Sequence, residues 1–172
     1  MNEITPTSTI AETTLAAEQH PPQIGGWLIV IAIGLVISLL QNLNGVFRSL
    51  APLHGPVWAR LTDPSSPRYH PYWRGALIYE AVAACLYLIM NLIAIILFFG
   101  KRRLFPILTV VFIPSIFILG LVDHYLGSLI PAVAASPVHA KGAYVLAAKF
   151  VALHVWIPYL LVSKRVKATF VR

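Results

Sequence analysis

Charge is scarce in this sequence. Asp, Glu, Lys and Arg make up 11% of its 172 residues, where a soluble domain carries about a quarter. So few charges cannot cover a water-facing surface. With 58% hydrophobic residues, the solvent for most of the chain must be lipid. Cysteine is nearly missing too. The single thiol, Cys85, lies in an apolar stretch, which excludes an intrachain disulfide and a CxxC metal pair; it reads as a small hydrophobe in a helix. There is no Gly-rich phosphate loop, no GxSxG elbow and no HExxH pair. No cofactor, metal or catalytic residue is therefore assigned. The net charge of +7 would suit nucleic acid. The basic residues, however, fall in short runs beside apolar stretches, which is how membrane topology signals look, and no nucleic-acid-binding module is present.

Long apolar runs are what the chain does have. Four stretches meet the requirement of about 20 apolar residues per spanning helix: residues 26–45, 76–99, 104–125 and 143–162. In lipid such segments must be helical, because the backbone finds no other hydrogen-bond partners. The expected fold is an all-α membrane protein, with four transmembrane helices in one bundle. Residues 1–23 form a polar tail rich in Thr, Ala and Glu, expected to be disordered, without the positive n-region of a secretory signal. Residues 24–172 form the transmembrane domain. Between the first and second helices a long outer loop is expected over residues 46–75, since five prolines there oppose a regular helix. A short interfacial helix is expected around residues 57–61.

Orientation follows from Lys and Arg. Seven of them (Lys101, Arg102, Arg103, Lys164, Arg165, Lys167 and Arg172) fall on the side of the termini, and five (Arg48, Arg60, Arg68, Arg74 and Lys141) on the other. The excess places both termini in the cytoplasm.

At 100° per residue each helix carries one polar or small-residue stripe. Gly34, Ser38, Gln41 and Gly45 share a face in the first, and Glu80, Ala84, Tyr87, Asn91 and Ala94 in the second. Thr109, Phe112, Ile116 and Asp123 align in the third, and Lys149, Trp156 and Ser163 in the fourth. Small residues permit close backbone approach and polar ones bond between helices, so Gly34, Ser38 and Asn91 are expected at helix contacts. Gln41, Glu80, Asp123 and Lys149 form a candidate polar cluster in the outer half of the membrane, with Lys149 about six residues into its helix, or roughly 9 Å. Three readings compete: the carboxylates sit in interfacial water while Lys149 snorkels outward, an ion pair locks the bundle, or the group binds a ligand or proton.

His54, His70, His124 and His139 are assigned to the outer side without metal-ligand spacing. His154 reads as a hydrogen-bonded packing residue. Pro114 and Pro158 lie inside helices that neighbours can hold together.

The run Ile24-Gly25-Gly26-Trp27-Leu28 opens the first helix, Tyr79-Glu80 lies in the second, and Lys101-Arg102-Arg103-Leu104-Phe105-Pro106 makes the tight turn. With the ending Trp156-Ile157-Pro158-Tyr159 and Ser163 to Phe170, they resemble the bacterial family called domain of unknown function 2569, over roughly residues 24–171. The resemblance implies a four-helix protein of the bacterial inner membrane and no particular activity.

Three functions are open. The first is a non-enzymatic accessory or structural membrane component, whose partners are membrane lipids and a second copy or another membrane protein. The second is an oligomeric small-solute or ion transporter. The third is a membrane enzyme acting on lipid or envelope precursors at the outer face. The missing catalytic constellations and the small-residue stripes favour the first.

Overall fold

The computed structural model describes residues 24–171. The expected polar tail, residues 1–23, lies outside the described residues, as does Arg172. The main elements are α1 (Trp27–Leu50), α2 (Pro56–Thr62), α3 (Trp73–Phe99), α4 (Leu104–Ser128), α5 (Pro131–Ala134), α6 (Pro137–Val162) and α7 (Lys164–Thr169). Four of them, α1, α3, α4 and α6, are long and apolar enough to cross a membrane. At 1.5 Å per residue they reach about 36–40 Å, against about 30 Å of hydrocarbon, so each exceeds the core by about one to two turns in all.

All four helices run longer than their apolar stretches, for identifiable reasons. α6 starts at Pro137 rather than residue 143, because Ser136 caps it by accepting from the His139 N–H at 3.2 Å and Pro137 occupies the first turn. The connection between α1 and α3 is not the long loop expected. α1 continues to Leu50, a 3-10 turn covers Ala51–Leu53, and Gly55, at φ 79°, leads into α2 with Pro56 in its first turn. Two of the five prolines, Pro52 and Pro56, stand in the first turns of short helices, α2 covering the short helix expected around residues 57–61, while Pro64, Pro67 and Pro71 lie in irregular backbone. What remains irregular is the stretch 63–72, closed by Asp63, which accepts from the Ser65 N–H at 2.9 Å and the Ser65 hydroxyl at 2.8 Å. These two bonds hold the Asp63 carboxyl below the usual carboxylate range.

The α3–α4 turn is tight. Arg102 N–H donates to the Leu97 carbonyl at 2.9 Å and Lys101 N–H to that of Phe98 at 3.0 Å, the bonding pattern of a Schellman motif. Lys101 takes the left-handed position, at φ 51°.

Neighbours in sequence are neighbours in space: α1 packs on α3, α3 on α4, and α4 on α6. All four converge at the end where residues 24 and 171 lie, the terminal end. There Leu28, Ala94, Phe98, Phe105, Leu160, Val166 and Phe170 form the core. α7 folds back into it. The Phe105 and Phe170 rings stack at 4.7 Å, and Phe98 lies 5.0 Å and 5.6 Å from them. Gly26 is where this closure needs a glycine: its φ is +57°, and an added Cβ would lie 2.9 Å from the Arg165 guanidinium. Toward the opposite, loop end the long helices present apolar side chains outward, such as Val138 and Tyr144, each 77% exposed, as a lipid-facing surface must.

Candidate functional site

The polar side chains of the spanning helices do not all meet. Asn91, buried on α3, donates its amide to the Ser38 hydroxyl of α1 at 2.6 Å, and Ser38 in turn donates to the Leu35 carbonyl at 2.9 Å. The Asn91 amide oxygen is buried without a partner. At Gly34 an added Cβ would meet nothing within 4 Å, so this glycine is not the close-approach point its stripe suggested. Gln41 is exposed on α1, a helix packed on α3 and not along α4 or α6; it does not join the other members of the expected cluster.

Glu80, Asp123 and Lys149 belong to three long helices packed in succession, α3, α4 and α6, and Asp123 stands within electrostatic reach of the other two. The Lys149 ammonium lies 5.8 Å from the centre of the Tyr87 ring on α3, and 3.5 Å from where a Cβ on Gly120 of α4 would stand. Gly120 is one turn from Asp123 on the same face, and Asp123 and Lys149 face each other closely enough to interact through their charges. Glu80 also lies within the reach of the Asp123 charge, but as a like charge that repels it. At 3.5 Å a Cβ on Gly120 would be in ordinary contact with the ammonium; the tight neighbour at Gly120 is Leu146, whose Cδ2 would lie 3.0 Å away. The lysine leans toward the N-terminus of its own helix, as helical side chains do, and that direction leads to the loop end and Asp123.

Depth differs from the sequence expectation. Because α6 begins at Pro137, Lys149 stands at the middle of a 26-residue helix, not six residues inside it. Asp123 is five residues from the end of α4 and Glu80 seven from the start of α3. The group therefore spans from near the loop ends of α3 and α4 to the middle of α6. It is also open: Glu80 and Asp123 are exposed, and Lys149 is half-buried.

Two tyrosines tie this region together, each bonding a carbonyl of α4. Tyr79 donates to Leu119 at 2.7 Å and Tyr87 to Ile116 at 3.1 Å. Beside Asp123 the α4–α6 crossing carries a feature the stripes did not reveal. The His124 and His139 rings stack face to face, with centres 4.0 Å apart and planes 3° from parallel. Each histidine packs against a glycine of the opposite helix. A Cβ on Gly142 would lie 3.3 Å from His124 Nδ1, and one on Gly127 would lie 3.3 Å from His139 Nδ1. The signal was the spacing His-x-x-Gly, present once in each helix. Among the described residues no group of three or more His, Cys, Asp or Glu could hold a metal ion. Cys85 lies in an open apolar groove with Leu50, Leu53 and Ile78. His154 bonds the Phe150 carbonyl at 2.9 Å.

A family model described as "Protein of unknown function (DUF2569)" matches residues 21–171. No curated protein and no solved structure matches the chain.

Proposed function

This multi-pass membrane protein belongs to the DUF2569 family, and from that premise we propose that it is a non-enzymatic accessory component of the bacterial inner membrane that engages a second transmembrane chain through the Glu80–Asp123–Lys149 face. One observation carries the reading. Three ionisable side chains stand within helices apolar enough to span a membrane, on a face that the chain covers only at Lys149 and leaves open at Glu80 and Asp123. Lys149, half-buried at the middle of α6, carries a charge that would cost ~2.5–3.5 kcal/mol if isolated near the membrane centre, and the two carboxylates beside it are exposed. A second helix laid across the face, offering polar side chains of its own, would remove much of that cost and gain hydrogen bonds between helices.

Both termini lie in the cytoplasm on this reading. The basic α3–α4 turn and α7 sit tight against helix ends, where positive charge counts most. The polar face then opens in the outer half of the bilayer. Crosslinking in living cells tests the proposal. A photoreactive amino acid replacing Val145, exposed on α6 and one turn from Lys149, should yield a protein adduct that is lost on Asp123→Asn. The same residue replacing Val111, exposed on α4, should yield lipid adducts alone. Lipid adducts alone from both positions would reject the reading.

A further inference from the structure

Six basic side chains gather at the terminal end from two distant segments: Lys101, Arg102 and Arg103 in the α3–α4 turn, and Lys164, Arg165 and Lys167 on α7. The carboxylates of the described residues, Asp63, Glu80 and Asp123, all lie toward the loop end. The other three acidic residues of the chain fall within residues 1–23, outside the described part. A topology signal explains why each segment is basic. It does not require the two to be fixed together, and two observations go beyond it.

First, the basic residues are mounted on a rigid base. Val166 and Phe170 anchor α7 in the core at 1% and 4% exposure. Arg103 Nε donates to the Val171 carbonyl at 2.6 Å, linking the turn to the end of α7. Arg165 lies against Gly26 at the start of α1. Arg102, Lys164 and Lys167 are left exposed around this base. Second, Lys101 occupies the left-handed position of the Schellman motif, at φ 51°, where glycine is the unstrained choice. A long basic side chain thus stands where the backbone alone favours none, and strain held in this way points to a use for the side chain. Just toward the membrane, Trp27 and Leu104 are 65% and 61% exposed.

We propose that this collar binds the phosphate headgroup of an anionic phospholipid in the surrounding leaflet. Lys101, Arg102, Lys164 and Lys167 meet the headgroup, and the apolar flank at Trp27 and Leu104 meets the acyl chains. Charge complementarity and the amphipathic layering select this occupant. Lysine and arginine at a membrane surface attract acidic lipid additively, and a rigid collar adds a fixed geometry.

The test uses the full chain in non-ionic detergent with phosphatidylglycerol, phosphatidylethanolamine or inorganic phosphate, measuring co-eluting lipid and melting temperature. Phosphatidylglycerol should be retained, should raise the melting temperature, and should be released by salt. Phosphatidylethanolamine and inorganic phosphate should do neither. Retention should fall at least about ten-fold in Lys101→Gly/Lys164→Gln/Lys167→Gln, given the additive attraction of each cation, and stay at the parent level in the loop-end control Arg60→Gln/Arg68→Gln/Arg74→Gln. Lys101→Gly alone should raise the lipid-free melting temperature while lowering retention, which a purely structural lysine would not do. Equal retention by collar variant and parent, or an equal response to phosphatidylethanolamine or inorganic phosphate, would overturn the proposal. If the triple variant aggregates, the salt titration of the parent decides, and salt-insensitive retention would overturn it too.

Discussion

Replacing Asp123 by Asn should destabilise the protein more than replacing Lys149 by Met, although the two groups face one another. The asymmetry comes from depth. Lys149 stands at the middle of α6, whereas Asp123 is five residues from the end of α4 and exposed. Asp123→Asn leaves an ammonium near the membrane centre, where an isolated charge costs ~2.5–3.5 kcal/mol. The Tyr87 face, 5.8 Å away, offsets about 0.5–1 kcal/mol of this as a cation–π contact. A net loss of about 2 kcal/mol follows. Lys149→Met leaves a carboxylate near the boundary, within reach of water, and the cost falls to about 1 kcal/mol. The double variant leaves neither charge and should lie close to the parent, giving a coupling of about 3 kcal/mol. Reversible unfolding in mixed micelles, followed by tryptophan fluorescence, measures all four proteins. Additivity within about 0.5 kcal/mol, or a larger loss from Lys149→Met than from Asp123→Asn, would refute the reasoning.

Other expectations rest on separate contacts. Ser38→Ala removes the partner of an Asn91 whose amide oxygen is already unpaired; a loss of about 0.6–1.7 kcal/mol is expected by unfolding, the range for bonds between membrane helices. Gly127→Val and Gly142→Val each drive a side chain into a histidine ring that a Cβ would already approach to 3.3 Å. Each should cost about 1–3 kcal/mol as overpacking, with faster proteolysis of the α4–α6 connection. Phe170→Ala empties a site that is 4% exposed between Phe98 and Phe105 and should cost about 3–5 kcal/mol, with amide exchange rising first in α7. Asp63 titrates below its ordinary value when folded. Its contribution to the 63–72 turn is therefore present at neutral pH and lost as pH falls through the folded value. Amide exchange at Ser65 should quicken on acidification, and Asp63→Asn should abolish that pH dependence.

Much of the architecture was legible because lipid leaves the backbone few options. Four apolar runs separated by Pro, Gly or basic residues admit four helices and little else. The ends were less legible. Ser136-Pro137 is a helix start that looks like a loop in composition, and reading it as a loop put Lys149 too near the boundary. Pro52 and Pro56 argue against one continuous helix, and they stand in the first turns of short ones. At the site, the stripe logic singles out Glu80, Asp123 and Lys149, because each is the one charged residue of its apolar stretch. It could not assign Gln41, because helical periodicity fixes a face without saying which neighbour that face meets. The stacked His124 and His139 escaped for a related reason: each is half of a contact whose other half is a glycine on another helix. The inward fold of α7 also escaped, since Val166 and Phe170 lie in a short segment dominated by charge.

The central claim is that the Glu80–Asp123–Lys149 face is covered by a second membrane chain. Native mass spectrometry of the protein excised from its own membrane in polymer nanodiscs tests this most directly. The account predicts a complex heavier than the chain by a whole polypeptide, reduced to the chain with lipids alone in Glu80→Gln/Asp123→Asn. A parent that appears only as a single chain carrying lipids, indistinguishable from that variant, would contradict it.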